Sequence, residues 1–413
     1  MTKQIPQGYK QTKVGIIPED WEVVRFGVIA KFFGGGTPST QNLEFWKGDI
    51  PWISSSDLIE DNIRDINITR FITKEAVNNS ATKIIPKNSI LIVSRVGVGK
   101  IAINKHALCT SQDFQSAVLE DGNNYFFAYL LQLKTKKLIE LNQGTSIKGL
   151  VKGDLSSLFM EKPPLKEQEK IAEILSTWDD AIVKQEQLIE QKQVFKKGIM
   201  QQIFSQKIRF KDDNGNDYPA WSNETLADVS DVRDGTHESP QYVEMGYPFI
   251  TSKNLLENGN IDFINVNFIS ETDYNNFNKR SLVEISDILF GMIGTIGNPV
   301  IVKKTGFGIK NVALVKELQR LKNQYLIHYL RSYGAMKQFH QQNTGGTQKF
   351  IALGIIRQLT IKLPCIKEQN QIADLLTNID DEITKQTEIL EQLNLQKQSL
   401  MQKLLTGQVR VKI

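Results

Sequence analysis

Lys166 to Gln185 reads KEQEKIAEILSTWDDAIVKQ, and Lys367 to Gln386 reads KEQNQIADLLTNIDDEITKQ, with eleven of twenty positions identical and no gap. Self-similarity on that scale marks an internal repeat, and the repeat decides how the whole chain is read. A proline step precedes each copy, Pro163-Pro164-Leu165 and Leu363-Pro364-Cys365. Helix does not readily continue backwards through it, so both copies open a helix at a comparable point.

Working upstream, the chain repeats in the same order. Pro51-Trp52-Ile53-Ser54-Ser55-Ser56-Asp57-Leu58 echoes Pro248-Phe249-Ile250-Thr251-Ser252-Lys253-Asn254-Leu255, and Ile90-Leu91-Ile92 with Gly99 echoes Ile288-Leu289-Phe290 with Gly297. Pro18-Glu19-Asp20-Trp21 and Tyr218-Pro219-Ala220-Trp221 open the two units. Similarity is strong in the helices and thin in the domains before them, which suggests a shared structural partner for the helices and different ligands for the domains.

The helices carry apolar residues at alternating steps of four and three. The first gives Ile171, Leu175, Trp178, Ile182, Gln185 and Ile189, continuing through Lys192, Lys196, Ile199 and Ile203. The second gives Ile372, Leu376, Ile379, Ile383, Gln386 and Leu390, continuing through Leu393, Lys397, Leu400 and Leu404. This is the seam of a coiled coil, with Gln185 and Gln386 as matching polar positions that can fix register. About 40 helical residues extend roughly 60 Å, further than a small domain is wide. The two helices are therefore expected to pair with each other, antiparallel, with a domain at each end of a rod.

The expected organisation is an N-terminal extension (1–17), a first domain (18–164), a helix (165–206), a polar linker (207–218), a second domain (219–363), a second helix (364–406) and a tail (407–413). Each domain mixes short β-branched runs with Gly, Asn and Ser turns and ends in one or two helices, as over Asn124 to Leu141 and Asn323 to His340. The fold class is α+β.

Composition narrows the function. Of 413 residues, 40% are apolar and 23% charged, which describes a globular protein. Fifty Lys and Arg against 46 Asp and Glu leave a net charge of +4, so nucleic-acid binding requires local clustering rather than a bulk field. No apolar run is long enough to cross a membrane, and the N-terminus lacks a signal-peptide pattern. With only two cysteines, Cys109 and Cys365, and no zinc-type ligand set around either, a reducing cytoplasm is expected.

Four polar loops recur in both copies and are the candidates for a DNA surface. Gly36 and Thr37 match Gly235, Thr236 and His237; Ser54, Ser55, Ser56 and Asp57 match Thr251, Ser252, Lys253 and Asn254. Arg95 with Gln112 matches Lys310 and Asn311; Gln143, Gly144, Thr145 and Lys148 match Thr344, Gly345, Gly346, Thr347, Gln348 and Lys349. Small residues let backbone approach phosphate, and Arg, Lys, Asn and Gln read base edges in pairs of hydrogen bonds.

The opening Gly15-Ile16-Ile17-Pro18-Glu19-Asp20-Trp21, the Gly36-Thr37-Pro38 loop and the two Pro-led Glu-Gln-x-x-Ile-Ala helices with their Asp-Asp pairs resemble the specificity subunit of type I restriction-modification enzymes. The resemblance covers nearly the whole chain. It implies that each domain recognises one half of a bipartite, asymmetric site in double-stranded DNA, while the helices set the spacing and dock partners. Those partners would be two methyltransferase subunits that use S-adenosylmethionine, and restriction or motor subunits that use ATP and Mg. Half-sites about one helical turn apart, near 34–36 Å, suit two separated readers.

Catalysis by the chain itself is not expected. Val96-Gly97-Val98-Gly99-Lys100-Ile101 lacks the glycine spacing of a phosphate loop and reads as a strand end and turn. His237-Glu238 has no second histidine at zinc-protease spacing, and Asn298-Pro299-Val300 is a poor match to an amino-methyltransferase motif. His328 and His340 suit surface or packing roles, and Asp179-Asp180 a solvated or partner-facing charge pair. The competing reading is a coiled-coil adaptor that binds proteins and no DNA.

Overall fold

A computed structural model describes residues 5–141, 149–342 and 350–413. Two compact units divide it: one comprises residues 1–186 with 388–413, the other residues 187–387. The boundary falls inside both long helices, Leu165–Phe204 and Ile366–Leu405, so each unit holds the first half of one helix and the last half of the other.

The two units share one design. In the first, a four-stranded antiparallel sheet runs in the order Ala30–Gly34, Phe114–Leu119, Ile90–Val93, Ile101–Ile103. In the second the order is Asp231–Asp234, Val312–Lys316, Ile288–Gly291, Gly297–Ile301. Ile90–Val93 is buried along its whole length, and the sheet has core on both faces, which accounts for unbroken apolar runs in place of alternation. A smaller sheet adds a parallel pair in each, Ile50–Ile53 with Cys109–Thr110 and Tyr247–Ile250 with Gly308–Ile309. The Val96–Lys100 stretch is the turn between two of these strands, with Gly97 and Gly99 at positive φ. Asn323 to His340 forms two helices, Asn323–Leu330 and Tyr333–Gln342, with Arg331 and Ser332 between them.

The antiparallel pairing of the helices is seen within each unit. In the first, Ile171, Ala172 and Leu175 share a core with Met401, Leu404 and Leu405, and Lys397 pairs with Asp179. In the second, Ile372, Ala373 and Leu376 share a core with Met200, Ile203 and Phe204; Lys196 pairs with Asp380, and Lys192 with Glu382 at 2.6 Å. Lys196 and Lys397, which interrupt the apolar seam, are thus the cations that meet the first aspartate of each Asp-Asp motif from the facing helix. Asp179 is buried and also accepts from Tyr129 Oη at 2.5 Å, while Asp180 pairs with Arg64 at 2.5 Å. The expected solvated role is corrected for Asp179, which forms a buried ion pair with Lys397, while Asp180 is exposed.

The repeated Glu-Gln pair has a physical reason. Glu167 is fully buried; it accepts from the Trp21 indole at 2.9 Å and from Arg410 at 2.7 and 2.8 Å. Glu368 is equally buried and accepts from Trp221 at 2.8 Å and from Arg209 at 3.2 and 2.7 Å. Each carboxylate has paired donors, as a buried charge requires. Those hydrogen bonds, foremost, hold both guanidinium pKa values above their ordinary range. Gln168 and Gln369 then accept from the backbone N–H of Asn123 and Lys322, where the domain helices begin, and donate to the carbonyls of Pro163 and of its counterpart in the repeat, Pro364. The most similar residues of the helices therefore join each domain to its helix pair.

His328 occupies in the second unit the place of Tyr129 in the first. It is buried, its Nε2 lies 3.1 Å from Thr377 Oγ1, and burial first, then Lys196 and Arg331, pull its pKa down to about 3. Between about pH 6.5 and 3 the unfolded chain binds a proton that the folded unit refuses, so stability falls as pH falls across that window. Protection factors of the 323–330 amides, taken relative to intrinsic exchange at each pH, should fall as pH falls through this range in the native chain, and His328→Gln should flatten the response. An unchanged pH slope in the variant would remove His328 as its source.

Candidate nucleic-acid interface

In each domain the recurring polar loops leave the strands at one edge and meet. In the first, Gly36 N–H donates to Thr110 O at 2.8 Å, and Trp52 Nε1 donates to Gly36 O at 3.0 Å. Ser111 N–H donates to Ile53 O at 2.8 Å, and Ser94 N–H to Asp113 O at 2.7 Å. The loops after residues 34, 53, 93 and 110 are therefore one surface. In the second, Gly235 N–H donates to Val312 O at 2.9 Å, Lys310 N–H to Ile250 O at 2.9 Å, and Ser252 Oγ to Asn311 O at 3.0 Å.

Close approach makes glycine necessary at one equivalent position. A Cβ on Gly35 would lie 2.0 Å from Ser111 O, and one on Gly235 would lie 2.4 Å from Ile309 O, far inside van der Waals contact. Gly35→Ala should therefore spread the first domain's loops. We expect it to abolish recognition by that domain while leaving the helical circular-dichroism signal intact; retained recognition would show that the loop junction is dispensable.

Of the candidate residues, Thr37, Ser56, Arg95, Gln112, His237 and Lys253 are exposed, and Ser54, Ser55, Thr236, Thr251, Lys310 and Asn311 are half-buried. Asp57, Ser252 and Asn254 are buried, and their assignment as ligand-facing side chains is corrected. Asp57 accepts from Ser54 N–H at 2.7 Å and pairs with Arg70; Asn254 Oδ1 accepts from Thr251 N–H at 3.0 Å; Ser252 Oγ accepts from Met292 N–H at 3.1 Å. They shape the turns from within, a capping use that a polar loop sequence does not distinguish from ligand contact. Gly36 and Gly235 are buried and contribute backbone.

Gln143, Gly144, Thr145, Lys148 and Thr344, Gly345, Gly346, Thr347, Gln348, Lys349 lie outside the described residues. Their flanks reach the same edge: a Cβ on Gly149 would meet Ser94 O at 2.1 Å, and Ile351 N–H donates to Met292 O at 2.9 Å. Among the described residues no three His, Cys, Asp or Glu side chains gather as a metal site, and no helix is long and apolar enough to cross a membrane.

Sequence reading missed Arg280. It sits on the helix Glu271–Ser281, away from any loop motif, yet its guanidinium pairs with the buried Asp234 at the root of the 235–237 loop. No spacing in the sequence links positions 234 and 280. The first domain has only the five-residue helix Lys74–Asn78 at the corresponding place.

This architecture has relatives. Residues 18–192 and 221–395 each match the type I restriction modification DNA specificity domain. The chain belongs to that family. The MjaIX type I restriction enzyme specificity subunit of Methanocaldococcus jannaschii is 28% identical over 425 residues, covering 98% of this chain and 96% of its own length. The type I restriction-modification S subunit from M. genitalium matches in fold with a TM-score of 0.55 at 15% identity, over 93% of this chain and 96% of that one. A chain solved in a study of the assembly and conformational transition of the type I R-M system matches with a TM-score of 0.62 at 16% identity, over 95% of this chain and 99% of that one. This protein is a type I specificity subunit with two tandem specificity domains, as its resemblance implied, and its long helices pair antiparallel, as their repeat and seam predicted.

Proposed function

We propose that this specificity subunit reads a bipartite, asymmetric site in double-stranded DNA, one domain per half-site, and supplies no catalytic group of its own. The observation that carries the reading is the gathering, in each domain, of the recurring loops on one sheet edge. Two edges of like construction but different side chains suit two different half-sites. Exposed polar side chains on short, internally braced loops can reach base edges with little ordering cost.

The methylation and restriction chemistry belongs, on this reading, to partner subunits. Two methyltransferase subunits would bring S-adenosylmethionine, and restriction or motor subunits ATP and Mg. The long helices support such docking: Leu188 and Ile389, and Val194 and Leu395, are exposed apolar residues at equivalent positions of the two helices. A net charge of +4 fits an assembly whose partners carry many of the phosphate contacts.

Gel shift of the chain assembled with its methylation subunits tests the proposal. The complex should hold its bipartite duplex and release a scrambled one at a salt concentration that suppresses non-specific contacts. Equal binding of both duplexes would favour a protein-binding adaptor instead.

A further inference from the structure

The two domains place a cross-loop side-chain pair at the same structural position. In the first, Thr37 Oγ1 donates to Gln112 Oε1. In the second, His237 Nδ1 lies 2.8 Å from Asn311 Oδ1. Thr37 and His237 each stand third after their strand, Ala30–Gly34 and Asp231–Asp234. Gln112 and Asn311 each stand second after theirs, Cys109–Thr110 and Gly308–Ile309. The scaffold is shared, and the side chains mounted on it differ.

We propose that Gln112 and Asn311 are specificity-determining base contacts, one per domain, and that Thr37 and His237 are positioning residues that hold them. The inference rests on the reading that these loops face DNA. A carboxamide presents an acceptor and a donor in one plane, the complement of the adenine N6 and N7 edge in the major groove. Its oxygen has two lone pairs, so accepting from Thr37 fixes the amide plane of Gln112 while leaving one acceptor site and both N–H donors available. In the second domain Asp234 Oδ2 lies 2.9 Å from His237 Nε2, which orients the ring so that Nδ1 faces the Asn311 amide. Asp234 is buried and also pairs with Arg280, so the brace is anchored in the fold. Asn311 has a φ of +54°, a conformation that Asn and Asp adopt more readily than other side chains bearing a Cβ.

The test uses the full chain assembled with its methylation subunits, and reads base preference at every position of a randomised duplex library. Gln112→Glu and Asn311→Asp preserve shape and replace the amide donor, and Asp tolerates the left-handed backbone at 311. Gln112→Glu should lower discrimination at one base pair of one half-site by about five- to a hundredfold, the range of one such contact, with the other half-site unchanged. Asn311→Asp should do the reverse. His237→Ala should weaken preference at the same base pair as Asn311→Asp, a coincidence that a general loss of loop order does not produce. Unchanged preference in both half-sites, collapse of both together, or a His237→Ala effect at other positions would each overturn the proposal. A wild-type complex without base preference would instead overturn the DNA reading itself.

Discussion

Replacing Glu368 by alanine is expected to destabilise the second unit by about 3 kcal/mol, the lower end of the cost of breaking a buried ion pair. The variant leaves the Arg209 guanidinium and the Trp221 indole without the carboxylate that both now reach. For a unit of roughly 200 residues that corresponds to a fall in Tm of about 6–12 °C. Glu167→Ala should do the same to the first unit, because Trp21 and Arg410 repeat the arrangement there. Differential scanning calorimetry, with hydrogen exchange to assign the transition to a unit, checks both. A shift below about 2 °C in either variant would mean that the Trp-Glu-Arg junction does not hold domain to helix pair.

The second large effect concerns the chain cut in half. A polypeptide ending near residue 211 keeps the first domain and a complete first helix. It loses the segment 388–413 that completes the first unit. It retains an equivalent segment in 187–211, with Lys196 in place of Lys397, Met200 in place of Met401 and Arg209 in place of Arg410. Two copies can therefore complete each other, Lys196 of one meeting Asp179 of the other and Arg209 meeting Glu167. Light scattering should report a dimer, and the complex with methylation subunits should recognise a palindrome of the first half-site in place of the asymmetric site. A monomeric half-chain, or methylation of the original asymmetric site, would contradict this.

Much of this was legible in sequence, because repeats and heptads are periodic signals. The eleven identities in twenty exposed the repeat, and alternating steps of four and three exposed the seam from Ile171 to Ile203 and from Ile372 to Leu404. What those identities do was not legible. The roles of Glu167, Gln168 and Asp179 emerge only when Trp21, Asn123 and Lys397 are brought to them by the fold. The helix similarity that suggested an external partner belongs largely to this internal junction.

At the candidate interface the loops were legible and the individual side chains were not. Ser54 to Asp57 and Thr251 to Asn254 look alike as polar turns, yet their last residues point inward to cap the turn. Asp234 and Arg280 come together from separate elements, and no local pattern announces such a pair. The pairing of Thr37 with Gln112 and of His237 with Asn311 likewise depends on a parallel strand pair formed over more than fifty residues of separation.

The most direct test of two-domain DNA reading is the full set of methylated adenines in DNA from cells with and without this chain. The account predicts one motif of two dissimilar half-sites at a fixed gap, present only with the chain. An identical methylation set in both, or a single uninterrupted motif, would contradict it.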